Sequence, residues 1–171
     1  QSRKGLHYKN LIHAGKIKVR DGVLRLINEL STIDVDQFIV TTSGKESLEP
    51  FLNTSLSSHL NYFSGIITYE DVSSHKPSPE AYKLAIKLSK KSEVNCIAIE
   101  DSMIGVAAAR AANLSCLLTL PPWPSDIKKI SRKANACVNS LGNNDNPTKI
   151  IYGNKLIKNY VDAEYLTNII N

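Results

Sequence analysis

The feature that most constrains this chain is a repeated alternation. Short, continuous apolar runs are each followed by a longer stretch with helical spacing. The runs are QFIVTT (37–42), GIITY (65–69), NCIAI (95–99), SCLLTL (115–120) and ACVNSL (136–141). They are apolar at consecutive positions rather than at every second one. That pattern belongs to strands covered on both faces. Between them, GVLRLINELS places Val23, Leu26, Ile27 and Leu30 on one helical face. SPEAYKLAIKLSKK carries an N-cap serine at Ser78, a proline at Pro79, Glu80 in its first turn and lysines at its end. Strands alternating with helices predict an α/β fold: a Rossmann-like parallel sheet with helices on both faces. Pro50 is expected to start a new turn or kink the helix after the first strand. From Asn143 the chain is polar and Asn-rich, and it ends in an amphipathic piece, VDAEYLTNII.

Length and composition fit that reading. The 171 residues suit one domain, and 42% hydrophobic content supplies a core. No apolar run reaches the length that crosses a bilayer, and QSRKGLHYKN lacks a secretory h-region. A membrane partner is not expected. The net charge of +5 is scattered. Its tightest cluster, Lys128, Lys129, Arg132 and Lys133, reads as a solvated helical face. A nucleic-acid partner is therefore not expected. Cys96, Cys116 and Cys137 fall in apolar runs without a CxxC pair, as buried thiols in a reducing cytoplasm would. His7, His13, His59 and His75 form no metal-ligand pattern.

In an open parallel sheet, ligands bind beyond the C-terminal ends of the strands. Three groups fall there. Thr42, Ser43 and Gly44 follow the first strand; hydroxyls, backbone N–H groups and a helix dipole could cradle a phosphate, although Ser-Gly is also an ordinary turn. Lys76 sits in HKPSP, before the well-signed helix, where its ammonium could reach an anion. Glu100 and Asp101 end the third strand. Two adjacent carboxylates suit a hard divalent cation such as Mg²⁺, and an acidic start to the helix at Ser102 is the plainer alternative. Taken together, the three groups could hold a phosphate beside a metal.

These motifs resemble the haloacid-dehalogenase superfamily, and within it the CbbY-like sugar-phosphate phosphatases and their relative β-phosphoglucomutase. FIVTT is similar to the family's second motif, HKPSPEAY to its third, and IAIEDSMIGVAAARAANL to its fourth. The resemblance implies that Thr42, the Ser43 N–H and Lys76 hold the phosphoryl group. It implies Asp101 as a direct Mg²⁺ ligand and Glu100 as a ligand directly or through water. Lys76 would also offset developing charge. The implied substrate is a small phosphorylated sugar, attacked by an aspartate to give an aspartyl-phosphate.

The family's first motif, DxDG, is not found in these residues. Asp34-Val35-Asp36 precedes its strand and is followed by Gln37, so it reads as a turn. The resemblance places the nucleophile upstream of Gln1, with roughly 70 residues of strand and helical cap. Residues 1–16 are then expected to be the end of the cap and 17–171 an HAD-like core incomplete at its N-terminus. In this family the absent strand is the central one. Two half-sheets should therefore face an empty slot, and the chain alone should be poorly stable and inactive. Two other readings remain open: a non-catalytic phosphate-binding or interaction module, and a phosphomutase.

Overall fold

The computed structural model describes residues 11–12, 17–121 and 126–171. The expected cap remnant, residues 1–16, lies outside the described residues except for Leu11 and Ile12, which are helical, with Ile12 buried. His7 and His13 also lie outside them.

The apolar runs become strands and the amphipathic stretches become helices. In chain order these are α1 (Val23–Ser31), β1 (Phe38–Val40), α2 (Lys45–Ser55), β2 (Gly65–Ile67), α3 (Glu80–Ser89), β3 (Ile97–Glu100) and α4 (Met103–Ala111). Then follow β4 (Ser115–Thr119), α5 (Ile127–Ser131), β5 (Ala136–Val138), β6 (Ile150–Tyr152) and α6 (Ala163–Ile170). Short 3₁₀ turns cover Ser57–Tyr62, Tyr69–Asp71 and Glu93–Asn95.

Local chemistry explains most boundaries. Ser102 caps α4 by accepting the Gly105 N–H at 3.1 Å, and Asp162 caps α6 by accepting the Tyr165 N–H at 2.9 Å. Gly22, at φ +83°, enters α1 in the left-handed region, and a Cβ there would lie 2.4 Å from the Gly142 carbonyl oxygen. Pro79 rather than Ser78 is the cap residue of α3, while Ser78 Oγ still accepts the Glu80 N–H at 3.4 Å. Pro50 starts no new turn: one helix, Lys45–Ser55, runs through it. The basic cluster falls on α5 and the turn after it, with Lys129, Arg132 and Lys133 exposed.

Among the described residues two sheets form. One is β1-β2 and the other β3-β4-β5-β6. All pairings are parallel except β5-β6, which is antiparallel. The sequence reading missed β6 because it is a short edge strand inside the polar stretch after Asn143. α4 and Tyr82 of α3 pack on one face of the larger sheet, against Cys116, Leu118 and Cys137. α1 and α6 pack on the other, where Leu26, Tyr165 and Leu166 meet Leu117 and Val138. Helices therefore cover both faces, which is why Cys116, Leu117 and Leu118 of β4 are all buried.

The sheet is interrupted between β1 and β3. A cleft of about 1010 Å³ runs the length of both strands, from Asp36 and Asn95 at one end to Thr42 and Asp101 at the other. This corrects the expectation that the first and third strands are fully buried. Phe38, Ile39 and Val40 are half-buried, and Ile99 is 38% exposed, because their open side meets the cleft. Cys96 also differs from expectation: it precedes β3 and is only half-buried, whereas Cys116 and Cys137 are fully buried.

No helix of the described residues is long and apolar enough to cross a membrane.

Candidate active site

The rim at the C-terminal ends of β1 and β3 is built around one lysine. Val40 ends β1, Glu100 ends β3, and Lys76 comes from the loop between β2 and α3. Lys76 Nζ donates to the Val40 carbonyl at 3.0 Å, to Glu100 Oε1 at 2.5 Å and to the Tyr82 hydroxyl at 3.3 Å. Its charge also lies 4.7 Å from the centre of the Tyr82 ring. Because one ammonium touches the ends of both strands, β1 and β3 point to the same rim.

The loop carrying Lys76 is shaped by its own helix. The Glu80 carboxylate accepts the N–H groups of Ser73 and Ser74 at 2.7 and 2.8 Å. Those two bonds, the Ser73 one first, hold the Glu80 carboxyl below its usual range. His75 stacks on Tyr69 with ring centres 3.7 Å apart. Residues 73–76 are thereby fixed across the sheet edge.

Glu100 is the buried member of the acidic pair, at 7% exposure. It accepts hydrogen bonds from Lys76, from the Tyr82 hydroxyl and from Ser102 Oγ, the last at 3.3 Å. Burial, with the Glu100 charge second, pushes the Tyr82 phenol far above its ordinary value, so it is a hydrogen-bond donor throughout the usual pH range. α4 makes room for the carboxylate with a glycine: a Cβ at Gly105 would lie 1.8 Å from Glu100 Oε2. The positive group beside the buried carboxylate is thus Lys76. Asp101 is the exposed member and lines the cleft with Thr42, Lys76 and Ser102.

Thr42, Lys76, Glu100 and Asp101 therefore share one rim. Ser43 sits beside Thr42 and is exposed, but its N–H donates to Thr41 Oγ1 at 3.0 Å. The α2 N-terminus is also engaged. The Lys45 N–H lies 3.2 and 3.1 Å from the two Glu70 carboxylate oxygens. A carboxylate thus already occupies the place where the helix dipole would favour an anion. The Glu70 N–H first, then the Lys45 N–H against the cost of burial, hold that carboxyl below its ordinary range. Neighbouring Asp71 is lowered to about 2, chiefly by the Thr68 hydroxyl and N–H and then by Lys45.

Among the described residues no three His, Cys, Asp or Glu side chains gather to hold a metal. Glu100 and Asp101 are two oxygen donors at most, the number Mg²⁺ commonly takes from a protein when water and phosphate complete its shell. The donor set fits Mg²⁺ in kind, with Asp101 the accessible carboxylate.

Sequence reasoning missed three members of this rim. Tyr82 and Gly105 act through Glu100. Arg20 donates to Thr119 Oγ1 at 3.2 Å and to the Leu120 and Asn139 carbonyls at 2.6 and 3.1 Å. Thr119 Oγ1 in turn donates to the Glu100 carbonyl at 3.2 Å. Arg20 so ties the segment entering α1 to the ends of β4 and β5. Asp34 and Asp36 lie before β1, at the far end of the cleft, where Asp36 Oδ1 accepts from Ser64 Oγ at 2.7 Å.

The profile of the haloacid dehalogenase-like hydrolases matches residues 3–119. The chain belongs to that family. It is 30% identical over 129 residues to a haloacid dehalogenase-like hydrolase domain-containing protein of Arabidopsis thaliana, covering 74% of this chain and 40% of that one. It is 31% identical over 117 residues to the plasmid-encoded CbbY protein of Cupriavidus necator, covering 68% and 46%. Among solved structures it is similar to CbbY of Rhodobacter sphaeroides, at a TM-score of 0.64 and 27% identity over 69% of this chain and 53% of that one. That CbbY protein was crystallised with phosphate and, as a variant, with xylulose-(1,5)bisphosphate. Its fold is also similar to that of β-phosphoglucomutase of Clostridium difficile, at a TM-score of 0.65 and 23% identity over 80% of this chain and 57% of that one. The chain spans about half the length of these relatives or less.

Proposed function

We propose that this chain supplies the phosphate- and metal-binding rim of a Mg²⁺-dependent phosphohydrolase acting on a small phosphorylated sugar. The observation that carries the reading is the convergence of Thr42, Lys76 and Asp101 on one rim of the cleft. A relative named as a validoxylamine A 7′-phosphate phosphatase supports a phosphatase, and the xylulose-(1,5)bisphosphate bound by CbbY of Rhodobacter sphaeroides supports the substrate class.

In this reading Asp101 is the protein ligand of Mg²⁺ and Thr42 donates its hydroxyl to a phosphoryl oxygen. Ser43 contributes through its hydroxyl, since its N–H is bonded to Thr41. Glu100 acts mainly through Lys76: it fixes the ammonium at the rim and reaches the metal only through water. Lys76 offsets negative charge that grows on the phosphoryl oxygens. When bound, Mg²⁺ would neutralise charge between the phosphate and the attacking carboxylate. The reading takes that carboxylate from a strand outside residues 1–171, where it would form the aspartyl-phosphate.

The experiment is phosphate release from a panel of sugar phosphates by the protein with its upstream strand, with and without Mg²⁺. Mg²⁺-dependent release, abolished in Asp101→Asn, is expected. Equal release in both, or none from any sugar phosphate, rejects the reading. Isomerised sugar phosphate in place of free phosphate would point to a phosphomutase.

A further inference from the structure

Two acids adjacent in sequence face different ways. Glu100 is buried against Lys76, and Asp101 is exposed at the cleft. A single planar peptide unit separates them. Its carbonyl belongs to Glu100 and its N–H to Asp101. Rotating that plane would move both carboxylates at once, so whatever fixes the plane fixes the division between them.

The Glu100 carbonyl is held from β4. Cys116, Leu117 and Leu118 are buried apolar residues, and Thr119, also buried, breaks the pattern with a hydroxyl. Thr119 Oγ1 donates to the Glu100 carbonyl at 3.2 Å. A threonine hydroxyl has one proton and two lone pairs, and by itself it can turn to other partners. Arg20 limits that choice. Its Nη1 donates to Thr119 Oγ1 at 3.2 Å, and a guanidinium cannot accept. With Arg20 on an oxygen lone pair, the hydroxyl proton is left for the Glu100 carbonyl. The arginine is anchored in turn: Nη2 donates to the Leu120 and Asn139 carbonyls at 2.6 and 3.1 Å, just past the ends of β4 and β5. The turn that carries it is closed by the Val23 N–H on the Arg20 carbonyl at 3.2 Å. Gly22, in that turn, packs so closely on Gly142 that a Cβ would lie 2.4 Å from its carbonyl oxygen.

We propose that Arg20 and Thr119 are positioning residues for Asp101. They pin the Glu100–Asp101 peptide, so that Glu100 is kept for Lys76 and Asp101 is presented to a divalent cation at the cleft. Neither residue touches the cation. The proposal rests on the reading of Asp101 as the Mg²⁺ ligand and adds the device that aims it. Groups that orient a metal ligand commonly change metal affinity by about 10–100-fold when removed.

The test compares Thr119→Val, which removes the hydroxyl and keeps the shape, with Thr119→Ser, which keeps the hydroxyl. Two readouts are taken on the folded protein. Without metal, the amide nitrogen-15 shift of Asp101 reports the hydrogen bond on its own peptide carbonyl. It is expected to move in Thr119→Val and in Arg20→Met, and to stay near its wild-type position in Thr119→Ser. By calorimetry with Mg²⁺ alone, Thr119→Val is expected to bind about tenfold more weakly and Thr119→Ser close to wild type. An unmoved Asp101 signal in either Thr119→Val or Arg20→Met overturns the proposal. So does an unchanged Mg²⁺ affinity with a moved signal, since the peptide would then not aim the ligand. Equal effects of valine and serine assign the change to packing and overturn it as well. Wild-type protein that binds no Mg²⁺ rejects the reading of Asp101, and the aiming role with it. The metal-free signal distinguishes that failure from a failure of the hydrogen bonds.

Discussion

Lys76 Nζ and Glu100 Oε1 lie 2.5 Å apart, with side chains only 9% and 6% exposed. A buried ion pair of this kind joins a loop to a strand end that are 24 positions apart in sequence. Removing one partner leaves an uncompensated charge in an apolar setting, typically costing about 3–5 kcal/mol. Lys76→Met is therefore expected to lower the urea midpoint strongly, and Lys76→Met with Glu100→Gln to recover most of the loss. A single variant costing under about 1 kcal/mol would mean the pair is solvated.

Gly105 answers to the same carboxylate. Its replacement by alanine would drive a methyl group into Glu100, and overpacking of this type costs about 1–3 kcal/mol. Calorimetry of Gly105→Ala should show a clearly lowered melting temperature. An unchanged one would show that Glu100 is not packed against α4.

The pair also marks what the sequence could reveal. The apolar run of β3, the Ser102 cap and the small-residue helix α4 are written in neighbouring residues, so local chemistry finds them. That Glu100 turns to Lys76 while Asp101 stays at the cleft depends on two segments meeting in space. No periodicity carries that information. The same holds for Tyr82, for Arg20 at the ends of β4 and β5, and for Glu70, which lies 25 residues beyond the Lys45 N–H it accepts. β6 was illegible for another reason: its three residues form an edge strand too short to show a period.

The loop after β2 carries a pH dependence. Asp71 titrates at about 2 rather than 3.8, held down by Thr68 and then Lys45. A depressed folded value contributes stability above pH 3.8 that is lost as pH falls through about 2. In Thr68→Val the Asp71 carboxyl should titrate nearer 3.8, as followed by carbon-13 chemical shift. A titration still near 2 would assign the shift to the Thr68 N–H and Lys45 rather than to the hydroxyl.

The thiols should separate by burial. Burial pushes Cys116 up to about 12 and Cys137 to about 11. Burial first, then the Glu93 charge, raises half-buried Cys96 as well. Maleimide at neutral pH should modify Cys96 first, and Cys116 and Cys137 only on unfolding, as read by mass spectrometry of peptides. Early labelling of Cys116 would place β4 outside the core.

The central claim is that Thr42, Lys76 and Asp101 form one site for phosphate and Mg²⁺. Calorimetric titration of the folded protein with inorganic phosphate, with and without Mg²⁺, tests it most directly. The account predicts that Mg²⁺ tightens phosphate binding and that Asp101→Asn removes the enhancement. Phosphate affinity indifferent to Mg²⁺, or an enhancement that survives in Asp101→Asn, would contradict it.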